Sequence, residues 1–366
     1  MAIKIVTDDS LFSSMKEIWD ALFEKSRHAR IFQSFEWNYT WWINEHSGEK
    51  LFLILYFDQA GGDNKVPSAI FPFYIDKSAT LRFIADRHSD YSSFLIEDKK
   101  RTSIYKIFKE VKKAVSQRAE CKNIELKNIS QSDPYIALFS TLFDHRQIMY
   151  HSNGSSFLQL EPESDFSKRF LYLDSKRRSE LKRVGKQFAT TKSTVISYPQ
   201  PFPESTLKSL SEAMIESGMR DRNFLNDRLM SVIKALYDAK NLYIHQISDT
   251  DDRPVAINLI LPQQDDTFLF WIDLFIDLKN INIYSYLAFI DHLCKSRDKA
   301  FIVDFGRGLY DYKIRNFYPV IELQYTFYHS RKSTVFAIYI AKLFLKFLIK
   351  NFYKKHKETI NRLLRR

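Results

Sequence analysis

At 366 residues the chain exceeds one typical core and suits two. It is 45% hydrophobic and 15% aromatic, which excludes general disorder, and its eight glycines exclude collagen-like and glycine-rich repeats. Of the net charge of +11, residues 331–366 hold +10 (seven Lys and four Arg against Glu358), so the body is nearly neutral and no nucleic-acid partner is expected.

Two cysteines, Cys121 and Cys294, and nine scattered histidines form no disulfide framework and no HExxH or CxxC pattern, so no metal is expected. The start, MAIKIVTDDS, lacks an apolar run of signal-peptide length, and no stretch of about 20 uncharged apolar residues follows. A cytoplasmic location is therefore expected.

Residues 10–26 read as an amphipathic helix, with Leu11, Met15, Ile18, Leu22 and Phe23 at helical spacing. Residues 34–45 read as a short helix capped by Ser34 and carrying Trp37, Trp41 and Trp42. Leu51–Phe57 and Val66–Ile75 read as a hairpin around the turn Gly61-Gly-Asp-Asn64. A basic-faced helix at 101–119 and a strand at Asn123–Asn128 follow, and the polar run His151–Ser156 reads as a linker.

The second half repeats this order. A helix at 166–190, a strand at Ser193–Tyr198 and helices at 204–217 and 223–239 lead to strands at Leu242–Ser248, Pro254–Leu261 and Thr267–Phe275. A helix at 283–297, a buried strand at Ala300–Asp304, a short helix and a strand at Ile321–Tyr328 complete it. Pro67-Ser-Ala-Ile70 parallels Pro254-Val-Ala-Ile257, which points to an internal duplication. The expected class is α/β (α+β), divided into 1–156, 157–330 and a basic amphipathic tail at 331–366.

This order and the strings SFEWNYTWW, AIFPFYI, HSDYSSFLIE, DSKRRSELKRVGKQF and DFGRGLYDYKIRNF resemble the GNAT acyltransferase superfamily, and within it the CelD-type family of polysaccharide and cellulose synthesis. Fem-type peptidyltransferases are related and also carry tandem GNAT-like halves. The resemblance covers roughly residues 30–328. It implies two tandem GNAT-like domains and transfer of an acyl group, with acetyl-CoA or another acyl-CoA as co-substrate. The acceptor it implies is an amine on a sugar nucleotide or lipid-linked sugar, and a polysaccharide synthase complex is a further implied partner.

In DFGRG, Gly306 and Gly308 allow a sharp turn at a strand end, which places Asp304 and Arg307 at a cleft mouth with Tyr312 and Lys313 close behind. Arg307 and Lys313 suit a phosphate or carboxylate; a structural Asp304–Arg307 bridge would explain the same residues. Arg307 is expected to lower the Asp304 pKa, leaving Asp304 to orient and Asp90, beside Tyr91, as the candidate base. A solvated turn carboxylate accounts for Asp90 equally well, and His88 is either a substitute base or, more in keeping with a single histidine, a lone surface residue. Arg178, Lys182 and Lys186, at four-residue spacing on a helix capped by Ser175, make either an anion strip or a solvated face. Trp37 belongs to the core or stacks on a sugar ring.

The stretch DLKNINIYSYLAF lacks the glycines with which GNAT enzymes cradle a pyrophosphate, leaving Asn282, Tyr284 and Ser285 as the cofactor-binding candidates. That departure keeps open an aminoacyl-tRNA donor or a catalytically idle scaffold. Residues 335–353 are apolar except for Asn351 and lysines at 342, 346 and 350, which suits an anionic membrane surface or docking on protein.

Overall fold

The computed structural model describes residues 2–58, 66–139 and 146–364; the expected turn at 61–64 lies outside them. The first half runs β1 (Ala2–Val6), α1 (Asp9–Ser13), α2 (Lys16–Phe23), α3 (Phe35–Glu45), β2 (Lys50–Phe57), β3 (Ala69–Ile75), β4 (Thr80–Phe83), β5 (Leu95–Ile96), α4 (Ile104–Ser116), β6 (Asn123–Ser130), α5 (Ile136–Phe139) and β7 (Gln147–Leu160). Two inserted helices, α6 (Phe166–Arg169) and α7 (Ser175–Gln187), precede the second half. This runs β8 (Lys192–Ile196), α8 (Glu204–Glu216), α9 (Asp227–Asp238), β9 (Tyr243–Ser248), β10 (Pro254–Pro262), β11 (Thr267–Phe275), α10 (Ile281–Ser296), β12 (Phe301–Arg307), α11 (Asp311–Phe317) and β13 (Val320–Ser330). The tail is one helix, α12 (Ser333–Leu364).

Apart from β5, which pairs with β3, one extra short helix between β1 and β2, and the insertions, the two halves have the same order of elements, in line with the duplication read from the hairpins. The strands form one mixed sheet in the order β1-β2-β3-β4-β6-β13-β7-β12-β11-β10-β9-β8. The last strand of each half has changed places. β13 lies beside β6, β7 lies beside β12, and β7 and β13 pair antiparallel at the centre.

The linker expected at 151–156 is therefore a correction. His151–Ser156 is the middle of a fourteen-residue central strand, and a boundary at 156 falls inside it. Its small polar side chains hide a segment held by main-chain bonds, with Ser155 and Ser156 fully buried. Two long helices expected from periodicity are broken: 10–26 parts between α1 and α2, and 166–190 between α6 and α7, whose cap is Asp174, not Ser175 (Asp174 Oδ1 accepts the Arg177 N–H at 2.8 Å).

A shared core joins the halves, in which Phe12, Trp19, Trp41 and Trp42 of α1–α3 meet Leu207, Val232 and Leu236 of α8 and α9. Separate cores lie under α4 (Ile107, Phe108, Val111) and under α7 and α10 (Leu181, Phe289, Ile290). Ser34 caps α3 as expected, accepting the Trp37 N–H at 3.2 Å.

Candidate functional site

Within each half, two neighbouring strands run parallel and pair only briefly. β4 meets β6 at Thr80↔Asn123 and Leu81↔Ile124, and β11 meets β12 from Thr267↔Ile302 to Leu269↔Asp304. Beyond these pairs each parallel couple parts. On the far side β6 and β12 each carry a bulge, centred on a residue in the left-handed region: Asn128 (φ 59°) and Gly306 (φ 69°). In the first half the chain after β4 fills the gap. Asn128 Nδ2 donates to Asp86 O and Ser89 O, both at 2.9 Å, and Asn128 O accepts the Ser92 N–H. So stapled, residues 84–92 reach into the second half.

There Asp90 Oδ2 accepts the Arg307 N–H at 3.0 Å, Oδ1 lies 3.7 Å from Arg307 Nε, and Asp90 O accepts from Gln324 Nε2 at 2.8 Å. Tyr91 Oη donates to Asp304 Oδ2 at 2.6 Å, and Asp304 Oδ1 accepts the Gly306 N–H at 2.8 Å. A Cβ on Gly306 would stand 2.6 Å from Asp90 Oδ2 and 2.7 Å from Phe270 O, so the clasp requires glycine there.

Two hollows are lined by neighbouring residues of β11 and β12: Leu269 and Asp304 in one, Phe270 and Phe305 in the other. The narrower, about 270 Å³, is lined by Arg30, Tyr91, Asp133, Leu269, Asp304 and Glu322. The Arg30 guanidinium lies 3.7 Å over the Tyr91 ring, 3.9 Å from Asp304 Oδ2 and 3.6 Å from Glu322 Oε2. The wider, about 670 Å³, is lined by Asp90, Phe270, Asp273, Phe305, Arg307 and Lys313, with the exposed Arg87 and Arg220 at its rim. Lys313 is buried in its wall, where Nζ donates to Phe305 O among the rings of Tyr286, Tyr310 and Tyr312. Tyr286 Oη donates to Asp273 and lies 3.2 Å from Tyr312 Oη.

Burial governs the titration. It pushes the Asp304 carboxyl up to about 6 against the opposing pull of Arg30 and Tyr91, and raises Asp90 against Arg307. The expectation that Arg307 lowers Asp304 is thus reversed: Arg307 pairs with Asp90, and the cation nearest Asp304 is Arg30. Burial also lowers the Lys313 ammonium despite Asp273, Asp90 and Asp304. His88 falls to about 4 through burial, then Arg307 and Arg87. Its Nδ1 accepts the Trp41 indole N–H at 2.9 Å, so the neutral ring carries its proton on Nε2 and is a donor, contrary to the expected substitute base.

The structure brings together Asp90, Tyr91, Asp304, Arg307, Tyr312 and Lys313. The other expected site residues stand apart. Trp37 is fully buried, its N–H on Ser89 Oγ and its ring edge-on to Trp271, which leaves no face for a sugar. Arg178 donates to Leu171 O and Leu173 O and lines neither hollow. The cofactor-binding candidates Asn282, Tyr284 and Ser285 line neither hollow. Ser285 is buried, donating to Asn282 O; Tyr284 stacks on Phe188; and Asn282 Oδ1 accepts the Ile283 N–H. The Ile281 N–H at the first turn of α10 is given to Leu278 O.

Sequence reading missed Arg30, Asp133, Asp273 and Glu322. Asp273 in TFLFWIDLF and Glu322 in VIELQYTFY are lone acids within buried-strand sequence, a signal open to notice; Arg30 has none. Among the described residues no group of three or more His, Cys, Asp or Glu is placed to hold a metal ion.

No family model and no curated protein sequence matches the chain. Solved structures do. L-PGS from Bacillus licheniformis superposes with a TM-score of 0.59 at 12% identity, covering 89% of this chain and 96% of that one. FemX gives 0.59 at 10%, covering 92% and 99%. A conserved protein of Bacteroides thetaiotaomicron gives 0.51 at 12%, covering 90% and 100%. At such identities the likeness is one of fold: the chain shares its overall mixed-sheet fold with L-PGS and FemX.

Proposed function

We propose that the protein is an N-acyltransferase in which an activated acyl group occupies the wide hollow and the acceptor amine approaches from the narrow one. The observation that carries this reading is a pair of hollows lined by neighbouring residues of β11 and β12 (Leu269 and Phe270, Asp304 and Phe305), one rimmed by Arg87, Arg220 and Arg307, the other lined by Asp304, Asp133 and Glu322. The cationic rim suits a diphosphate and the acidic wall suits an amine.

As the amine attacks the acyl carbonyl it must lose a proton. Asp304, with a carboxyl near 6, is ionised at neutral pH and suited to take it. As the tetrahedral intermediate collapses, the bond from the acyl carbon to its carrier breaks and the departing carrier atom takes up a proton, leaving the amide and the free carrier. Tyr91 and the Gly306 N–H hold that carboxylate in place, while Asp90 fixes Arg307. Lys313 and the bulge at Trp271 in β11 supply donors toward the developing oxyanion.

The finer assignment is an acetyl-CoA-dependent enzyme acting in the cytoplasm on an amine of a sugar nucleotide or lipid-linked sugar in envelope polysaccharide synthesis. It rests on the CelD-type strings. The lack of glycine in DLKNINIYSYLAF favours a second reading, an aminoacyl-tRNA donor; the nearly neutral body counts against it.

Acetyl-CoA mixed with amino-sugar nucleotides and the purified protein is expected to release free thiol. Asp304→Asn is expected to lower kcat by about 10²–10⁴ and to remove the rise in rate as pH passes through about 6. An unchanged rate in that variant excludes Asp304 as base. No binding of coenzyme A by calorimetry, with transfer from aminoacyl-tRNA instead, selects the second donor.

A further inference from the structure

The base of α12 is fixed to the body. Tyr339 stacks on Tyr328 with ring centroids 3.5 Å apart, donates to Glu125 Oε1 at 2.9 Å, and lies 2.8 Å from Tyr150 Oη. Leu343, half-buried, is on the same side of the helix. From there the helix leaves the sheet, and at about 1.5 Å per residue its 32 residues measure about 48 Å.

The side turned away from the body is apolar and bare. Ile338, Phe344, Leu345, Leu348, Ile349 and Phe352 are 47–62% exposed. At about 100° per residue they share a sector roughly 140° wide, opposite Phe336, Tyr339 and Leu343. Lys342 and Lys346, both exposed, flank that sector. A contiguous apolar face of this kind marks an interaction surface.

Its charge selects the occupant. Residues 331–366 hold eleven basic side chains and one acid, so a second α12 would bring like charge to like. Among the described residues no helix is long and apolar enough to cross a membrane. A helix that is apolar on one face and lysine-rich at its flank fits the boundary between headgroups and acyl chains, its lysines reaching the lipid phosphates.

We propose that α12 lies in the plane of an anionic lipid surface, with Ile338, Phe344, Leu345, Leu348, Ile349 and Phe352 entering the bilayer and Lys342 and Lys346 at the headgroups. This is independent of the acyl-transfer reading, and its test does not read activity.

The full chain is to be floated with vesicles of phosphatidylcholine alone and of phosphatidylcholine mixed with phosphatidylglycerol. Binding is expected to the mixed vesicles only, and to weaken with salt. Replacing Lys342 and Lys346 together by Ala is expected to lower the partition about thirtyfold. Phe344→Asp with Leu348→Asp is expected to abolish it while leaving the melting temperature unchanged, since both side chains are exposed. Equal binding to both vesicle types, or full binding by the Asp variant, overturns the proposal. So does concentration-dependent dimerisation that the Asp variant removes, which identifies a second copy as the occupant.

Discussion

Asp133 is the buried carboxyl whose charge bears most simply on stability. Burial pushes it up to about 6 although its Oδ1 accepts the Tyr135 N–H at 2.7 Å. Its folded pKa lies above the unfolded value of about 3.9, so its contribution is fully present below about pH 4 and is lost as pH rises through about 6. Asp133→Asn keeps the acceptor and removes the titration. At pH 7.5 the variant is expected to be more stable by about 2–3 kcal/mol in urea unfolding, with the gap narrowing as pH falls to 5. A gap independent of pH would show that Asp133 does not carry the effect. Residues whose roles follow from local chain geometry were legible in the sequence: Asp304, Arg307, Tyr312 and Lys313 follow from two glycines beside a buried strand. Arg30 was not. It meets Asp304 and Glu322 only because the short 3₁₀ turn Ile31–Gln33 that follows it places it over Tyr91, a contact that no local spacing encodes.

Among the elements, the two bulges show how one fold yields two different halves. Gly306 leaves room at β12 for a carboxylate from elsewhere, whereas Asn128 uses its own amide to tie residues 84–92 to β6. Asn128→Ala loses two hydrogen bonds to buried carbonyls and puts an alanine at φ 59°. The expected cost is about 2–4 kcal/mol in urea unfolding, with faster amide exchange across 84–92. Unchanged exchange there would mean that the segment is held by Asp90 and Tyr91 alone. Most elements were legible from periodicity, since α3, β2, β9–β11 and α10 each bury a coherent face. β7 was not, because hydrophobic alternation is the wrong guide to a central strand of serine, asparagine and glycine with neighbours on both sides.

For the whole molecule, the exchanged final strands make the halves interdependent. Without β13, β6 loses a neighbour; without β7, so does β12. The shared core of α1–α3 with α8 and α9 adds to this coupling. Unfolding is expected to be one transition, coincident by far-ultraviolet circular dichroism and by fluorescence of Trp19, Trp37, Trp41 and Trp42 in the first half and Trp271 in the second. Residues 1–156 and 157–330 produced separately are expected to stay unfolded; a stable half would show that the exchange is dispensable.

The same exchange sets a timetable for biosynthesis. β6 ends at residue 130 and its partner β13 begins at residue 320, so a ribosome adding about 5–20 residues per second leaves that edge waiting roughly 10–40 seconds. Throughout this interval the nascent protein displays unpaired strand edges that invite wrong partners. Its maturation therefore waits on the emergence of the last strand, and chaperone cover matters most just before that point.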